Sequence, residues 1–467
     1  MDYKAYFDSI ADKWQPYRRR HSYYWQQTNN FVGFFLSGEE SIVEIGCATG
    51  EALATLPAKR KVGVDFCEKL IEQGQRLHPD IEFHTMDAHD ITLDEKFDVV
   101  LMSNLVSYLT DIEQVLNCVR RLCHERTRII ITNFNKLWEP AINLAEAIGI
   151  KRRCPEQNWI SKADMRGLLY LSGFETYRSC SGMLMPFNIP IVSTLLNKFV
   201  SRLPFFSLFA LNDYIFARPM PRPSADWQTR YSVSVVVPAR NESGNIEQAV
   251  SRIPDMGSHT EIIFVEGNST DDTWQKIQDV AATSSCDIKI MQQDGRGKGD
   301  AVRKGYAAAT GDILMILDAD LTVPPEDLPK FYRAIATGKG EFVNGVRLVY
   351  PMEKGSMRLL NTMGNHFFSS LFSWILEMPI KDTLCGTKVM FRTDYEQLAR
   401  GRHFFGNFDP FGDFDLLFGA HKLNLRHIDL PIRYRERKYG ETNISRFRHG
   451  LLLLKMCVFA AFKIRFR

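Results

Sequence analysis

The sequence predicts an α/β protein with two doubly wound domains, because two separate runs of strand-like segments alternate with helix-like segments. The 467 residues are also too many for one ordinary core. A proline-rich stretch at residues 217–226 (ARPMPRPSAD) has few core-forming residues and is typical of a short linker. We therefore expect a first domain over residues 1–217, a linker over 218–230, a second domain over 231–443 and a terminal helix over 444–467.

The composition is that of a folded protein, with 45% hydrophobic and 24% charged residues, and the net charge of +3 gives no nucleic-acid footprint. The nine cysteines include no CxxC pair, which argues against a disulfide framework or a zinc site and favours a reducing, cytoplasmic environment. Residues 1–8 lack the apolar core of a signal peptide. No run of about 18 apolar residues occurs, so a transmembrane helix is not expected. The composition does not predict the oligomeric state.

In the first domain, the segment 41–53 predicts a strand, a turn of small residues and the start of a helix. Small residues let the backbone approach a ligand, and a helix start offers unpaired N–H groups. A second strand at 62–65 ends in Asp65, whose carboxylate can accept both hydroxyls of a ribose. Residues 83–88 and a strand at 97–102 continue the alternation, which implies a parallel sheet.

Three elements of this domain, in their order along the chain, resemble class I methyltransferases that use S-adenosylmethionine: VEIGCATG (43–50), Asp65 and MDA (86–88). The resemblance spans roughly residues 35–180 and implies a Rossmann-like fold, whereas the GxGxxG of dinucleotide-binding proteins is absent from the turn. One departure is Ala48, where many relatives have glycine, but alanine is small enough for the cofactor to bind. The implied S-adenosylmethionine contacts are Glu44, Gly46, Ala48, Gly50, Asp65, Asp87 and Ala88. The competing interpretation is a domain that has lost its chemistry and serves as a scaffold.

Two segments flank these motifs. Residues 1–40 mix aromatic and basic side chains, and we expect helices there that cover a site. Residues 183–211 are apolar and interrupted by prolines, which predicts a helical cap whose role is packing, with a groove for an acceptor chain as the alternative. None of His84, His89 and His124 is predicted to be catalytic, so the methyl acceptor stays open.

The strands predicted in the second domain also end in polar side chains. Those at 232–238 and 261–265 run into ARNE and EGNSTDDT, whose carboxylates can hold the base and ribose of a nucleotide. The loop GRGKGDA (295–301) offers backbone amides and Lys298 to a phosphate at the start of a helix. These features favour a nucleotide site at the carboxyl ends of the strands.

A further strand carries two carboxylates at its exit. Residues 313–317 are five consecutive apolar residues, and Asp318 and Asp320 follow directly. Two carboxylates so spaced can share a divalent ion that grips a diphosphate. A bare DxD is more often a solvated turn, so its meaning depends on the other strand exits.

The ordered set VPARNE (237–242), VEGNSTDDT (265–273), RGKGDA (296–301) and LDADLTVPPE (317–326) resembles inverting family-two glycosyltransferases with the GT-A fold, most of all dolichyl- or polyprenyl-phosphate sugar transferases. The resemblance covers roughly residues 230–450. It departs at the EG pair after the second strand, where relatives commonly have two aspartates, so the base of the nucleotide stays open. The resemblance implies that the nucleotide sugar is bound by Pro238, Arg240, Glu242, Glu266, Lys298, Asp318 and Arg347. It also implies a Mg²⁺ or Mn²⁺ ion at Asp318, Asp320 and Thr322.

The same resemblance implies the acceptor side. The segment GDFDLL (412–417) stands where these transferases carry their acceptor-side acid, which makes Asp413 and Asp415 catalytic candidates, with Asp413 preferred. Arg437 and Lys438 would clamp an acceptor phosphate. A hydroxyl acceptor would need Asp413 as general base, whereas an ionised phosphate acceptor would only be oriented by it. Transfer to a glycan hydroxyl is therefore the alternative to transfer to polyprenyl phosphate.

The end of the chain is basic, with ten Lys or Arg and two Glu in residues 433–467. Its apolar stretch at 451–462 is too short to span a bilayer but can lie on an anionic membrane surface, although a core helix or an oligomer contact is also compatible. We therefore expect a bifunctional cytoplasmic enzyme, peripheral on the membrane. It would transfer a sugar to polyprenyl phosphate or a lipid-linked acceptor, and a methyl group to a glycan-related acceptor.

Overall fold

The computed structural model describes residues 3–148, 157–350, 359–402, 412–435, 437, 439 and 446–466. The chain divides into two compact units, a first unit of residues 1–220 and a second unit of residues 221–465. In the part of the chain so described, no helix is both long and apolar enough to cross a membrane.

The first unit contains a seven-stranded sheet in the order β3-β2-β1-β4-β5-β7-β6. Its strands are β1 Ser41–Ile45, β2 Arg60–Asp65, β3 Glu82–Thr85, β4 Phe97–Ser103, β5 Cys123–Phe134, β6 Phe174–Gly182 and β7 Asn212–Pro219. The first five run parallel, whereas β7 runs antiparallel to both of its neighbours, β5 and β6. The sheet is therefore mixed and not wholly parallel as expected, because the chain re-enters the sheet at Asn212, on the same edge at which β6 ends, so that β7 runs back beside β6.

Helices lie around this sheet at α1 Tyr3–Arg20, α2 Ser22–Gly33, α3 Glu51–Thr55, α4 Glu68–Leu77, α5 Ile112–Arg121, α6 Glu139–Ala147, α7 Lys162–Leu171, α8 Val192–Lys198 and α9 Pro204–Ser207. The core side chains of β1, β2 and β4 are fully buried, as expected for strands covered on both faces. The carboxyl ends of β1, β2 and β4 share one edge of the sheet, where the turn after β1 and the acid after β2 meet.

The second unit contains a second seven-stranded sheet in the order β10-β9-β8-β11-β13-β12-β14. Its strands are β8 Val233–Ala239, β9 Thr260–Glu266, β10 Asp287–Gln292, β11 Ile313–Ile316, β12 Phe342–Val346, β13 Lys388–Phe391 and β14 His427–Pro431. Only β13 is antiparallel, and it separates β11 from β12. The parallel pairs β8–β9 and β8–β11 bring three strand exits side by side, as the doubly wound prediction requires.

The helices of this unit are α10 Ile246–Arg252, α11 Thr273–Thr283, α12 Lys298–Ala308, α13 Leu328–Ala336, α14 Leu359–Leu376, α15 Arg392–Arg400, α16 Asp413–Lys422 and α17 Arg446–Ala460. The turn of residues 461–465 continues α17 as a π-helix. One face of α17 is buried through Leu453 and Met456, while Leu451 and Lys455 are exposed. Arg465 is buried and forms an ion pair with Glu377, so part of the basic tail is committed inside the second unit.

Candidate functional site

In the first unit, the turn after β1 is built from left-handed backbone conformations. Gly46, Ala48 and Gly50 have φ angles of +75°, +50° and +77°. A side chain on Gly50 would also meet the Phe83 ring, with the added carbon 2.6 Å from its Cζ atom. The turn therefore needs small residues at alternate positions, and the pattern that suggested the cofactor loop has a structural cause.

The acid at the end of β2 fastens this turn. One Asp65 oxygen accepts the Ala48 amide at 2.8 Å and the other accepts the Cys67 amide at 2.9 Å. Burial raises the pKa of Asp65 to about 6. Of the remaining expected cofactor contacts, Asp87 is exposed and accepts His89 Nδ1 at 2.7 Å, while Ala88 is buried.

Glu44 lies within β1 beneath the turn and is 2% exposed. Burial raises its pKa to about 8, against a smaller opposing effect of the Arg18 charge. In the described part of the chain its Oε2 atom has no hydrogen-bond partner. The side chain is therefore mostly protonated at neutral pH, and its role as a cofactor contact stays a prediction.

Helix α1 covers the turn with side chains that the sequence did not single out. The Gln15 amide donates to Thr49 Oγ1 at 3.1 Å and to Glu51 Oε1 at 2.6 Å. The Arg18 guanidinium lies 3.7 Å from Glu51 and stacks on the Trp25 ring. The aromatic and basic pattern of the first 40 residues indicated such a cover but not which residues make it.

A second group of polar side chains lies where β5, β6 and β7 meet. The Asp213 carboxylate accepts the Ser181 hydroxyl at 2.6 Å and faces the Lys162 ammonium at 3.3 Å. Burial raises the pKa of Asp213. The Tyr24 hydroxyl donates to Asn212 at 3.1 Å at the same edge of the sheet. Sequence analysis missed this group because its members lie far apart along the chain.

In the second unit, the two aspartates after β11 each face a cation of the chain. The Asp318 carboxylate lies 2.6 Å from Lys298 Nζ, and this charge lowers the Asp318 pKa. The Asp320 carboxylate accepts the Thr322 hydroxyl at 2.8 Å and pairs with the Arg437 guanidinium. The structure thus brings together side chains that the sequence assigned separately to metal, donor and acceptor.

The exits of β8 and β9 contribute two buried carboxylates. Glu242 accepts Arg437 Nη1 at 3.0 Å, and burial raises the Glu242 pKa to about 7. Glu266 accepts the Ser269 amide at 2.5 Å, so it shapes the turn that follows β9. Arg240 is exposed, and Pro238 is half-buried within β8.

Asp413, the first residue of α16, lies in the same neighbourhood. Its carboxylate is 3.1 Å from Lys388 Nζ, and its charge helps to raise the pKa of Lys298. Both Asp413 and Lys388 are buried. Asp415 instead pairs with Arg402 at 2.7 Å, which makes it a support of α16 in this structure.

Two expected site residues need separate mention. The Arg347 guanidinium makes two hydrogen bonds to Asp382, at 2.7 and 2.8 Å, and its side chain is buried. Its fork is thus turned to a carboxylate of the chain. Lys438 lies outside the described residues.

The donor set around Asp318 and Asp320 fits a hard divalent cation. Both side chains offer carboxylate oxygens, the ligands that Mg²⁺ and Mn²⁺ prefer. Among the described residues, no group of three or more His, Cys, Asp or Glu side chains is placed to hold a metal by itself. Oxygens of a bound diphosphate and water would have to complete the coordination.

Comparison with known protein families matches each unit separately. A methyltransferase domain family matches residues 42–126, and glycosyl transferase family 2 matches residues 234–400. The chain therefore carries a methyltransferase domain followed by a family 2 glycosyl transferase domain. Both resemblances found in the sequence, the α/β fold class and the prediction of a two-domain transferase are confirmed.

Similar proteins are found among curated relatives and solved structures. A dolichol-phosphate mannosyltransferase of Pyrococcus furiosus is 38% identical over 23% of this chain and 30% of its own length. The low-salt glycan biosynthesis hexosyltransferase Agl6 of Haloferax volcanii is 28% identical over 49% of this chain and 53% of its own length. The chain thus spans about half the length or less of these relatives. A SAM-dependent methyltransferase structure from Thermotoga maritima is 16% identical over 46% of this chain and 98% of that chain, with a TM-score of 0.38.

Proposed function

We propose that this two-domain transferase moves a sugar from a nucleotide donor to polyprenyl phosphate, with inversion and with a divalent metal ion. We propose further that its first domain transfers a methyl group from S-adenosylmethionine to a glycan-related acceptor. One observation carries the first proposal: Asp318, Asp320, Lys298 and Asp413 meet at the edge where β8, β9 and β11 end. Ligands of open α/β sheets bind at this edge.

On the donor side, Asp318 and Asp320 would hold the metal ion, which supplies charge neutralisation to the leaving nucleoside diphosphate. Lys298 stands at the start of α12, where its ammonium and the free N–H groups of the helix favour phosphate oxygens. Glu242 and Glu266 at the neighbouring strand exits would contact the ribose and the base. The negatively charged phosphates of the nucleotide sugar would thus lie against the metal ion, the Lys298 ammonium and the N–H groups of α12.

On the acceptor side, a lipid phosphate already carries the nucleophilic oxygen, so it needs orientation more than deprotonation. Asp413, held by Lys388 at 3.1 Å, would orient the acceptor. Arg437 would contact its phosphate. In-line attack of a phosphate oxygen on the anomeric carbon breaks the bond to the diphosphate and inverts that carbon. The relatives named as dolichol-phosphate and undecaprenyl-phosphate sugar transferases support this acceptor class. A lipid acceptor would bring the protein to a membrane surface, which we propose to be the cytoplasmic face.

In the first domain, the turn after β1 and Asp65 would hold S-adenosylmethionine. The Lys162, Ser181 and Asp213 group, at the same edge of the sheet, offers polar side chains to a hydroxylated acceptor. Positioning of the acceptor oxygen against the donor methyl group would supply most of the rate enhancement. The acceptor would lose its proton to Asp213 or to water.

The glycosyl transfer is tested with purified full-length protein, a panel of nucleotide sugars and a short polyprenyl phosphate, with and without Mn²⁺. We expect a product whose sugar is released by mild acid, as a sugar–phosphate linkage is. Asp318→Asn and Asp320→Asn should each abolish its formation. Asp279→Asn, on the exposed face of α11, is the matched control and should leave transfer unchanged. Full activity of the two site variants, or an acid-stable product, contradicts the proposal.

Cofactor binding is tested on the full chain by thermal unfolding. S-adenosylmethionine should raise the melting temperature, and Asp65→Asn should reduce that shift. No shift in the unmodified protein would favour a scaffold role for the first domain.

A further inference from the structure

The segment of residues 183–211 joins β6 to β7 in the first unit. Gly182 pairs with Asn212, and Asn212 pairs with Phe134 at the carboxyl end of β5. The Asn135 amide fastens the segment by donating to the Leu208 and Ala210 carbonyls at 3.0 Å each. The segment therefore stands at the sheet edge that carries the turn after β1 and Asp65.

Polar side chains of this segment face the protein interior. Ser193, Asn197 and Ser201, four residues apart, are 1%, 8% and 0% exposed. Asn197 accepts the Leu184 and Met185 amides at 2.8 Å and donates to the Met185 carbonyl at 2.7 Å. These bonds fix the backbone with its polar groups inside, which is the reverse of a helix that faces water.

Apolar side chains of the same segment face outward. Ten large apolar residues between Phe187 and Phe209 are exposed, from 41% at Leu203 to 83% at Ile191. With on the order of 100 Å² uncovered on each, the exposed apolar area is about 1,000 Å². The largest apolar patch of a typical monomer is only about 300–600 Å². This concentration of exposed apolar side chains in one segment favours an apolar occupant.

Ile191, the most exposed of these residues, has a strained backbone. Its φ angle is +67°, and the Val192 amide donates to the Pro190 carbonyl at 2.7 Å, which makes a tight γ-turn centred on Ile191. A β-branched residue is a costly choice for this conformation, which glycine or asparagine adopts more easily. The turn lifts an isoleucine side chain away from the surface.

The charges of the segment favour a lipid surface over an aqueous or acidic partner. Residues 183–211 contain no Asp or Glu. Their two basic residues are Lys198, which is half-buried at the end of α8, and Arg202, which is buried. Apolar and phenylalanine side chains beside a lysine are typical of segments that enter the headgroup and acyl boundary of an anionic membrane. The short, proline-bounded helices α8 and α9 suit such shallow insertion.

We propose that residues 183–211 form a membrane-contact element of the methyltransferase domain. The element inserts Ile191 and the Phe205 region into an anionic lipid surface. Because it borders the edge that holds the cofactor turn, it brings the methyl-transfer site to acceptors held at that surface. This last consequence rests on the proposed methyl transfer; insertion itself does not.

Insertion is tested on the full chain with a local probe. In a background with Cys286→Ser, which removes the exposed cysteine of the described residues, and Cys154→Ser, which removes the cysteine outside them, Ile191→Cys is labelled with an environment-sensitive fluorophore. Vesicles of phosphatidylcholine and phosphatidylglycerol should shift its emission to the blue and raise its intensity, and the change should persist in high salt. Leu171→Cys, 70% exposed at the end of α7, is the matched control and should not respond. An unchanged emission at residue 191, or an equal change at 171, overturns the proposal.

A second measurement uses no label. The combined variant Ile191→Ser, Leu195→Ser, Phe205→Ser should lower the vesicle-bound fraction, whereas Tyr170→Ser with Leu171→Ser should not. All five positions are exposed, so folding should be kept, and an unchanged S-adenosylmethionine-induced rise in melting temperature checks this. Equal vesicle binding by both variants overturns the proposal. The proposal is also overturned if sedimentation shows that the triple variant has lost a dimer while its vesicle binding is unchanged. If S-adenosylmethionine does not raise the melting temperature of the unmodified protein, that result counts against methyl transfer, while the vesicle results still decide the membrane contact.

Discussion

At the scale of single residues, the aspartate pair after β11 is already neutralised by the chain. Lys298 lies 2.6 Å from Asp318, and Arg437 pairs with both Asp320 and Glu242. Two carboxylates and a third buried acid in one cleft would otherwise repel one another. A divalent ion at this place must compete with these cations for the same oxygens.

Replacing Arg437 should therefore strengthen metal binding. In Arg437→Gln, Asp320 loses a charge-assisted hydrogen bond worth about 1.5 kcal/mol, so the Kd for Mn²⁺ should fall about tenfold. Titration followed by electron paramagnetic resonance measures free Mn²⁺ directly. Arg435→Gln is the control, since the Arg435 side chain is exposed. The hydrogen bond from residue 435 to the Thr322 carbonyl comes from its backbone amide, which the substitution keeps. Unchanged or weaker Mn²⁺ binding in Arg437→Gln would show that the Arg437 guanidinium does not compete with the ion for Asp320.

Glu44 gives the first unit a pH-dependent stability. Its ordinary pKa of 4.5 rises to about 8 in the folded protein because the side chain is buried. A carboxyl group with a raised pKa makes its full contribution to the free energy of unfolding below about pH 4.5. That contribution is lost as the pH rises to about 8. The slope should reach at most about 1.4 kcal/mol per pH unit.

Glu44→Gln should flatten this slope, because the neutral amide has no proton to lose. The free energy of unfolding is measured by denaturant titration between pH 5 and about 8. The unfolding transition of the first unit is identified as the one that S-adenosylmethionine shifts. Glu72→Gln, exposed on α4, should keep the original slope. Identical slopes in all three proteins would mean that Glu44 is ionised throughout.

At the scale of elements, the loop before β13 lies against Asp318 and Lys298, at the proposed donor site. A side chain added at Gly386 would start 2.0 Å from an Asp318 oxygen and 2.2 Å from Lys298 Nζ. Glycine at this place lets the loop backbone touch the ion pair. The antiparallel strand β13 fixes the approach by its hydrogen bonds to β11.

Gly386→Ala should separate Lys298 from Asp318 and lower kcat/KM for glycosyl transfer at least about tenfold, the effect of about 1.4 kcal/mol. The melting temperature should change little, since the displaced groups are side-chain ends. Gly364→Ala is the matched control: apart from the helix's own backbone and the adjoining residues, no atom of the described residues lies within 4 Å of the added carbon. Alanine there should stabilise α14 by up to about 1 kcal/mol. Activity retained in Gly386→Ala would place the donor elsewhere.

Elements whose strands end in carboxylates could be predicted from the sequence, because an apolar run followed by Asp or Glu marks a strand exit. Asp65 at the exit of β2 and the exits of β8, β9 and β11 belong to this class. The partners of those acids could not be predicted in the same way. Arg347 has the chemistry of a phosphate ligand. Two of its N–H groups nevertheless donate to Asp382, 35 residues further on, which the pairing of β13 with β12 brings close.

The direction in which an amphipathic segment faces was also beyond the sequence. Residues 183–211 have the composition of a packing segment, and Ser193, Asn197 and Ser201 recur every four residues. This spacing fixes one polar face, but only the tertiary structure shows that this face is the buried one. The apolar surface of the first unit follows from that reversal.

At the scale of the whole molecule, the chain has two sheets of seven strands, and we propose one reaction at the strand exits of each. A ligand that binds only the folded protein slows local opening around its own site. The assignment of cofactor to the first unit and metal with nucleotide to the second therefore predicts where each ligand acts.

Hydrogen exchange of the full chain, read by mass spectrometry, checks this assignment. S-adenosylmethionine should slow exchange in peptides that cover residues 43–50 and 60–67. Mn²⁺ with uridine or guanosine diphosphate should protect those that cover 295–302 and 317–323. In Asp318→Asn the second effect should disappear while the first stays, because the substitution removes a metal ligand far in sequence from the cofactor turn. Protection of the second set by S-adenosylmethionine would contradict the assignment. If S-adenosylmethionine slows exchange in none of the peptides, the first unit is a methyltransferase domain that no longer binds its cofactor.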